Sequence, residues 1–311
     1  MHQPDTGRDC WWTRDLRSAA TVGREAILEL AFERRDGRTV LARSYVEPPF
    51  RIGRCLTLGD AAYVIIVCSG PGVFPGDALR QVVHVGAGAR VVLASQAALQ
   101  VHPGTSAALS ALSASSPGPA IVEQRYTLEE NAELHGHWDP VIPFAGARLA
   151  QHIELSMPQS ARLLWTDGLM AGRVARGEAW AFDAISHELR LAVDGRLRYL
   201  ERYDIAPCDC AQGGPRDEPI ARRWIAGAGR YFGTLLVRDR AATAAAAEAL
   251  HQTVQGPDTS AAADLVCDRL IAGRIIAADG VPFAAARLAC RRFVLDRVLQ
   301  SPELACRKSV G

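Results

Sequence analysis

The sequence predicts a mainly β fold, a layered body of many short strands followed by two C-terminal α-helices. Three observations carry this. Apolar residues alternate with period two through the first two thirds of the chain. Turn-forming pairs interrupt that alternation roughly every ten residues. Beyond Val237 the pattern becomes alanine-rich and helical in period. The β body is expected over residues 20–237 and the helical region over 238–304, packed on it as one domain overall.

Taken in order, Leu28, Leu30 and Phe32 face one way, with Glu29 and Glu33 beside them. Ala61–Cys68 is the longest apolar run; at eight residues it is far short of a bilayer span and reads as a buried strand. A strand follows over Leu79–Val85. Val122, Gln124, Tyr126 and Leu128 form one alternating set, and Leu149, Gln151, Ile153 and Leu155 another. Trp180 and Phe182 follow Glu178, and Leu189, Leu191 and Val193 close the series. The turns between them are Asp36-Gly37, Pro71-Gly72, Pro75-Gly76, Gly86–Gly88, Pro117–Pro119 and Asp194-Gly195. Sandwich, barrel and solenoid-like arrangements all fit this punctuation. A parallel α/β fold is not expected, because no helical pattern falls between the strands.

Pro207–Pro219, with Gly213-Gly214-Pro215, reads as a loop. Ala241–Gln252 is a helix stopped by Gly256-Pro257, and Pro282 opens a second helix over Phe283–Gln300. Phe283, Leu288, Val294, Leu295, Val298 and Leu299 give that helix an apolar side; Arg287, Arg291, Arg292 and Arg297 give it a basic one. Such helices can offer a face to a partner or simply cover an end of the β core.

A chain of 311 residues buries about three quarters of its unfolded surface, enough for a core without a metal or disulfide staple. A net charge of +1 argues against a dedicated nucleic-acid or membrane-surface role. Lys308 is the sole lysine among 35 basic residues, a bias that GC-rich coding explains. Met1–Arg14 is polar and carries no apolar signal region, so a cytoplasmic location is expected. The eight cysteines, at positions 10, 55, 68, 208, 210, 267, 290 and 306, are irregularly spaced and expected to be reduced thiols.

Signatures of catalysis are missing. With Lys308 the only lysine there is no phosphate-binding Gly-x-x-x-x-Gly-Lys loop, and Gly70-x-Gly72-x-x-x-Gly76 has the wrong spacing for a dinucleotide turn. No Gly-x-Ser-x-Gly elbow, His-Glu-x-x-His or Cys-x-x-Cys motif occurs. Weaker candidates remain. His135 and His137 share one face of an extended segment, and Cys208-Asp209-Cys210 offers two thiolates and a carboxylate. Asp77, Asp139 and Glu178 follow or precede Gly or Pro, where a carboxylate caps a turn as readily as it binds a ligand.

Ser69–Asp77, a strand, and then Val85–Ala98 together resemble the UreD (UreH) family of urease accessory proteins, which carries a Gly-rich turn ending in Asp, a strand and a Gly-Ala turn leading to Thr/Ser-Gln-Ala-Ala. Thr39–Pro49, Trp138–Ala147 and Asp167–Glu178 resemble further blocks of that family in the same order. Pro71 in place of glycine, Ser95 in place of threonine, Gln100–Pro103 and His135–His137 depart from its pattern. The resemblance implies a layered helicoid of strands with two helices near the C-terminal end. It also implies a non-enzymatic scaffold that docks on urease apoprotein and acts with UreF and UreG to deliver nickel. No tightly bound cofactor is implied, only transient nickel passing along a polar tunnel. Asp77, Ser95, Gln96, Asp139 and Glu178 are then candidates for the tunnel wall, with Gly76 and Arg173 supporting them. Arg287, Arg291, Arg292 and Leu295 would form a partner surface. Two competing readings stay open: a metal-dependent hydrolase built on His135 and His137, and a β-rich binding protein with no ion role.

Overall fold

The computed structural model describes residues 23–104, 118–207, 229–256 and 258–306. Cys208 and Cys210, most of the expected loop at 207–219, Pro257, Lys308 and the segment to Arg14 lie outside the described residues.

Among the described residues the chain builds two large sheets. Sheet A holds seven strands: β1 (Glu25–Arg35), β2 (Arg38–Val46), β6 (Ala78–Val85), β9 (Ala120–Leu128), β12 (Arg148–Met157), β14 (Ala184–Val193) and β15 (Arg196–Ile205). Sheet B holds nine: β3 (Phe50–Ile52), β4 (Leu56–Leu58), β5 (Ala61–Cys68), β7 (Arg90–Ser95), β10 (Glu133–His137), β13 (Arg162–Met170), β16 (Tyr231–Arg238), β17 (Thr259–Cys267) and β18 (Leu270–Ala277). From β5 to β14 the long strands fall alternately in B and A, so the chain winds as a flattened coil. Neighbours within each sheet are therefore parallel: β1, β6, β9, β12 and β14 in A, and β5, β7, β10 and β13 in B. Parallel strands need a long crossover. Here the strand in the opposite sheet serves as that crossover, which is why parallel pairing coexists with the absence of intervening helices.

A short third side closes each turn of the coil. β8 (Gln100–Val101) pairs parallel with β11 (Ile142–Pro143), Val73 bridges Val101, and Val141 bridges Leu169. The sequence blocks around Gly70–Asp77, Ser95–Gln100, Trp138–Ala147 and Asp167–Glu178 all lie along this side, stacked one above the next. Trp180 and Phe182 belong to it too; they are buried but lie outside any strand, with Trp180 at a φ of +62°.

Between the sheets lies a core containing Leu28, Phe32, Leu93, Leu134, Leu163 and Trp165. Gly136 on β10 provides the flat floor for an aromatic cluster. A Cβ there would sit 2.6 Å from Trp165 Cε3 and 3.2 Å from Trp138 Nε1. Trp165 in turn packs edge-on against Tyr126 at 4.9 Å. Gly136→Ala should cost about 1–3 kcal/mol by overpacking, read as a lowered unfolding midpoint with an unchanged slope.

The region beyond Val237 corrects the sequence reading. Helix α1 (Ala244–Thr253) is capped by Thr243, and α2 (Gly280–Phe293) by Asp279, then continues as a π-turn over Val294–Val298. Between them the chain forms the hairpin β17–β18, and β18 pairs with β16, so residues 238–304 are part strand. Ala261 to Ala263 carry high helix propensity, but pairing along β18 overrides it. Both helices cover the outer face of sheet B, over a second core of Tyr63, Val92, Leu164, Phe283, Val294 and Leu295. No helix among the described residues is long and apolar enough to cross a membrane.

Candidate functional site

The inner face of sheet A carries a row of polar side chains where the alternation demands apolar ones. Gln81, Gln124, Gln151, His187 and Tyr203 sit on β6, β9, β12, β14 and β15, and they are linked. Gln81 Nε2 donates to Tyr126 Oη at 2.6 Å, and Gln124 Nε2 donates to the same oxygen at 3.0 Å. Gln151 Nε2 donates to Gln124 Oε1 at 3.4 Å, and His187 Nδ1 lies 3.1 Å from Gln151 Oε1. The His187 ring stacks on Tyr203 at 4.7 Å and 11°.

With Nδ1 donating to Gln151, the lone pair of His187 falls on Nε2, which is buried and finds no hydrogen-bond partner among the described residues. Burial holds its pKa below the ordinary histidine value, so the ring is neutral at pH 7. Across the gap, Asp167 accepts from Trp165 Nε1 at 2.9 Å. Glu201 pairs with Arg274 at 2.9 Å and accepts from Thr234 Oγ1 at 3.4 Å. Burial raises the Glu201 carboxyl to about 7, the charge of Asp167 adds to this, and Arg274 opposes it.

One end of this row opens into a cavity of about 190 Å³. Its wall combines Gln81, Gln124 and Gln151 with Gly70–Gly72, Ser95–Gln100, Trp138 and Asp139. Of the residues expected to line a tunnel, Ser95, Gln96 and Asp139 are found here, and Ser95 Oγ accepts from the Asp139 N–H at 2.8 Å. The others are placed elsewhere. The carboxylate of Asp77 accepts from the N–H groups of Arg24 at 2.8 Å and Phe74 at 3.0 Å, so it fastens the turn that Gly76 opens. Glu178 forms a fork with Arg173, whose guanidinium lies 4.0 Å over the Phe144 ring. The Arg173 hydrogen bonds hold the Glu178 carboxyl below its ordinary range.

His135 and His137 occupy the opposite face of β10, fully buried beneath α2. Their ring centroids are 6.2 Å apart, and His135 Nε2 lies 2.7 Å from Glu133 Oε1. Among the described residues no three His, Cys, Asp or Glu side chains are grouped to hold a metal ion. The open metal pocket that a hydrolase would need is therefore not found at this pair.

The expected partner surface also needs correction. Arg287, Arg291 and Leu295 are buried; Arg287 donates to the Trp138 carbonyl and Arg291 Nη2 to Thr166 Oγ1 at 3.0 Å. The helix turns this basic edge onto sheet B because Trp138 and Thr166 offer acceptors there. Only Arg292 of the four is exposed.

The polar residues of this row that the sequence reading did not single out are Gln81, Gln124, Gln151 and His187. Their signal was present in the alternation itself: Gln124 and Gln151 fall in phase with Tyr126 and Ile153, as polar residues on an inward face.

Comparison with known proteins gives a consistent result. A family model described as UreD urease accessory protein matches residues 24–309. A urease accessory protein UreD of Sorangium cellulosum is 33% identical over 191 residues, 61% of this chain and 57% of that protein's length. One from Anaeromyxobacter sp. is 31% identical over 223 residues, covering 71% and 68% respectively. A UreD 2 of Streptomyces griseus is 31% identical over 246 residues, covering 77% of each.

Proposed function

Because the chain belongs to the UreD family of urease accessory proteins, and so is an accessory protein and not an enzyme, we propose that it docks on urease apoprotein in the cytoplasm and acts with UreF and UreG in nickel insertion. Nickel enters at the cavity beside Ser95, Gln96 and Asp139, and passes inward along Gln124, Gln151 and His187 toward Asp167 and Glu201. The observation that carries this reading is the His187 Nε2 lone pair, buried within a row of amide and carboxylate oxygens. Imidazole nitrogen and neutral oxygen are suitable ligands for Ni²⁺. Single contacts spaced along a path let an ion move on, whereas a closed set of ligands would trap it. UreF is assigned to the exposed side of α2 around Arg292.

The test replaces Gln124 and Gln151 together with leucine, which removes the two amides from the row, takes the acceptor from His187 Nδ1 and leaves the side-chain volume nearly unchanged. In cells co-expressing the urease subunits and the other accessory proteins, nickel per urease active site should fall at least tenfold, while the variant still co-purifies with urease. Full nickel occupancy would eliminate transit through the row and leave the reading of a binding scaffold with no ion traffic.

A further inference from the structure

A second cavity, far from the polar row, opens at the other end of sheet B and has a volume of about 550 Å³. Among the described residues four arginines line it, Arg162, Arg238, Arg240 and Arg269, against one carboxylate, Asp239. That carboxylate is already engaged, by Arg162 Nε at 2.6 Å and by the Ala241 N–H at 2.7 Å. Arg162 is engaged as well, since it also pairs with Glu133 at 2.9 Å and donates to the Leu299 carbonyl.

Arg238 is different. It is 4% exposed, and among the described residues its Nε has no partner and its side chain makes one hydrogen bond, a 3.5 Å contact from Nη2 to the Gln159 carbonyl. Among the described residues no carboxylate lies within 4 Å of it. Burial disfavours its charge and Arg269 adds to this, while Asp268 and Asp194 attract it from farther away. A buried guanidinium without an anion is costly, and paired burial is the rule for such groups. Arg240 and Arg269 are exposed at the rim, where Arg269 makes only a 3.8 Å contact with its neighbour Asp268.

We propose that this cleft binds a small oxyanion of the phosphate class, with Arg238 as the buried anchor and Arg240 and Arg269 supplying the outer contacts. The guanidinium geometry favours tetrahedral oxyanions over chloride, because two N–H groups reach two oxygens at once. The site is independent of the proposed nickel path.

The experiment is a thermal-unfolding titration of the full chain with inorganic phosphate, against sodium chloride at matched ionic strength. A saturable rise in Tm with phosphate and none with chloride is expected. Arg240→Ala with Arg269→Ala, both surface changes, should weaken phosphate binding by about tenfold or more. Arg238→Met should abolish the phosphate response and leave Tm in phosphate-free buffer equal to or above that of the parent. A phenyl phosphate arm separates the sources: equal affinity assigns the free ion, tighter binding an esterified group. If phosphate and chloride give the same Tm, or the double rim variant titrates like the parent, the proposal is overturned, whether or not Arg238→Met folds.

Discussion

Glu133→Ala should lower the stability of the chain by about 3–5 kcal/mol. Glu133 is 2% exposed and holds three partners at once: His135 Nε2 at 2.7 Å, Arg90 Nε at 2.9 Å and Arg162 Nη1 at 2.9 Å. Truncation leaves two guanidinium groups and an imidazole facing an empty space. Burial pushes the Glu133 carboxyl upward, but the hydrogen bond from His135 and the charges of His135, Arg162 and Arg90 outweigh it and hold it at about 2. A carboxyl whose folded pKa lies below its ordinary 4.5 contributes stability that is fully present above pH 4.5 and is lost as the pH falls toward 2. That share is about 3 kcal/mol. Urea unfolding at pH 7, 4.5 and 3 checks both parts. The parent should lose about half of this increment, roughly 1.5 kcal/mol, between the last two, and Glu133→Ala should not show that loss; equal acid sensitivity in the two chains would refute the assignment.

The second large effect concerns the third side of the coil. Gly72 has a φ of +130°, and a Cβ there would stand 2.2 Å from the Gln100 carbonyl oxygen. That same oxygen accepts from the Val73 N–H at 2.9 Å, so it cannot retreat without breaking the ladder. Gly72→Ala combines backbone strain with a clash against backbone, for a loss of about 3 kcal/mol. Gly177→Ala is the control. Its φ is +74° but nothing lies within 4 Å of the added atom, so only strain of about 1 kcal/mol is expected. Comparable midpoints for the two variants would show that the close approach at Gly72 is unimportant. The same geometry accounts for Pro71. Gly70 and Gly72 carry the positive φ values of this turn, at 112° and 130°, and leave the residue between them a place for a ring that needs negative φ.

Much of the fold was legible because each inner strand face obeys period two. Ala61–Cys68 is a strand with the bounds its apolar run defines. What periodicity could not reveal was which strands pair, since pairing here skips to the next turn of the coil. Nor could it reveal the β17–β18 hairpin, where alanines that favour helices are held extended by their neighbours. Of the residues expected to line a tunnel, Ser95, Gln96 and Asp139 meet at one cavity. Asp77 and Glu178 share their residue type and turn context, yet their carboxylates are consumed by backbone N–H groups and by Arg173. No sequence pattern separates a carboxylate that fastens a turn from one that faces a cavity; only three-dimensional partners do. The arginines of α2 misled for a related reason, since a basic helix edge looks solvated until acceptors such as the Trp138 carbonyl are seen beneath it.

The Arg90 side chain joins Asp60, Glu133, Ser301 and Glu303, residues scattered over most of the described chain. This has a consequence for biosynthesis. While the chain is being made, β10 and its charged and imidazole groups are complete long before Ser301 and Glu303 leave the ribosome. Until α2 and the turn after it arrive, the outer face of sheet B stands open to water and to other molecules. Cutting the chain before Ser301 should therefore leave Arg90 with only Asp60 and Glu133 and uncover part of the outer face of sheet B, far along the sequence from the cut.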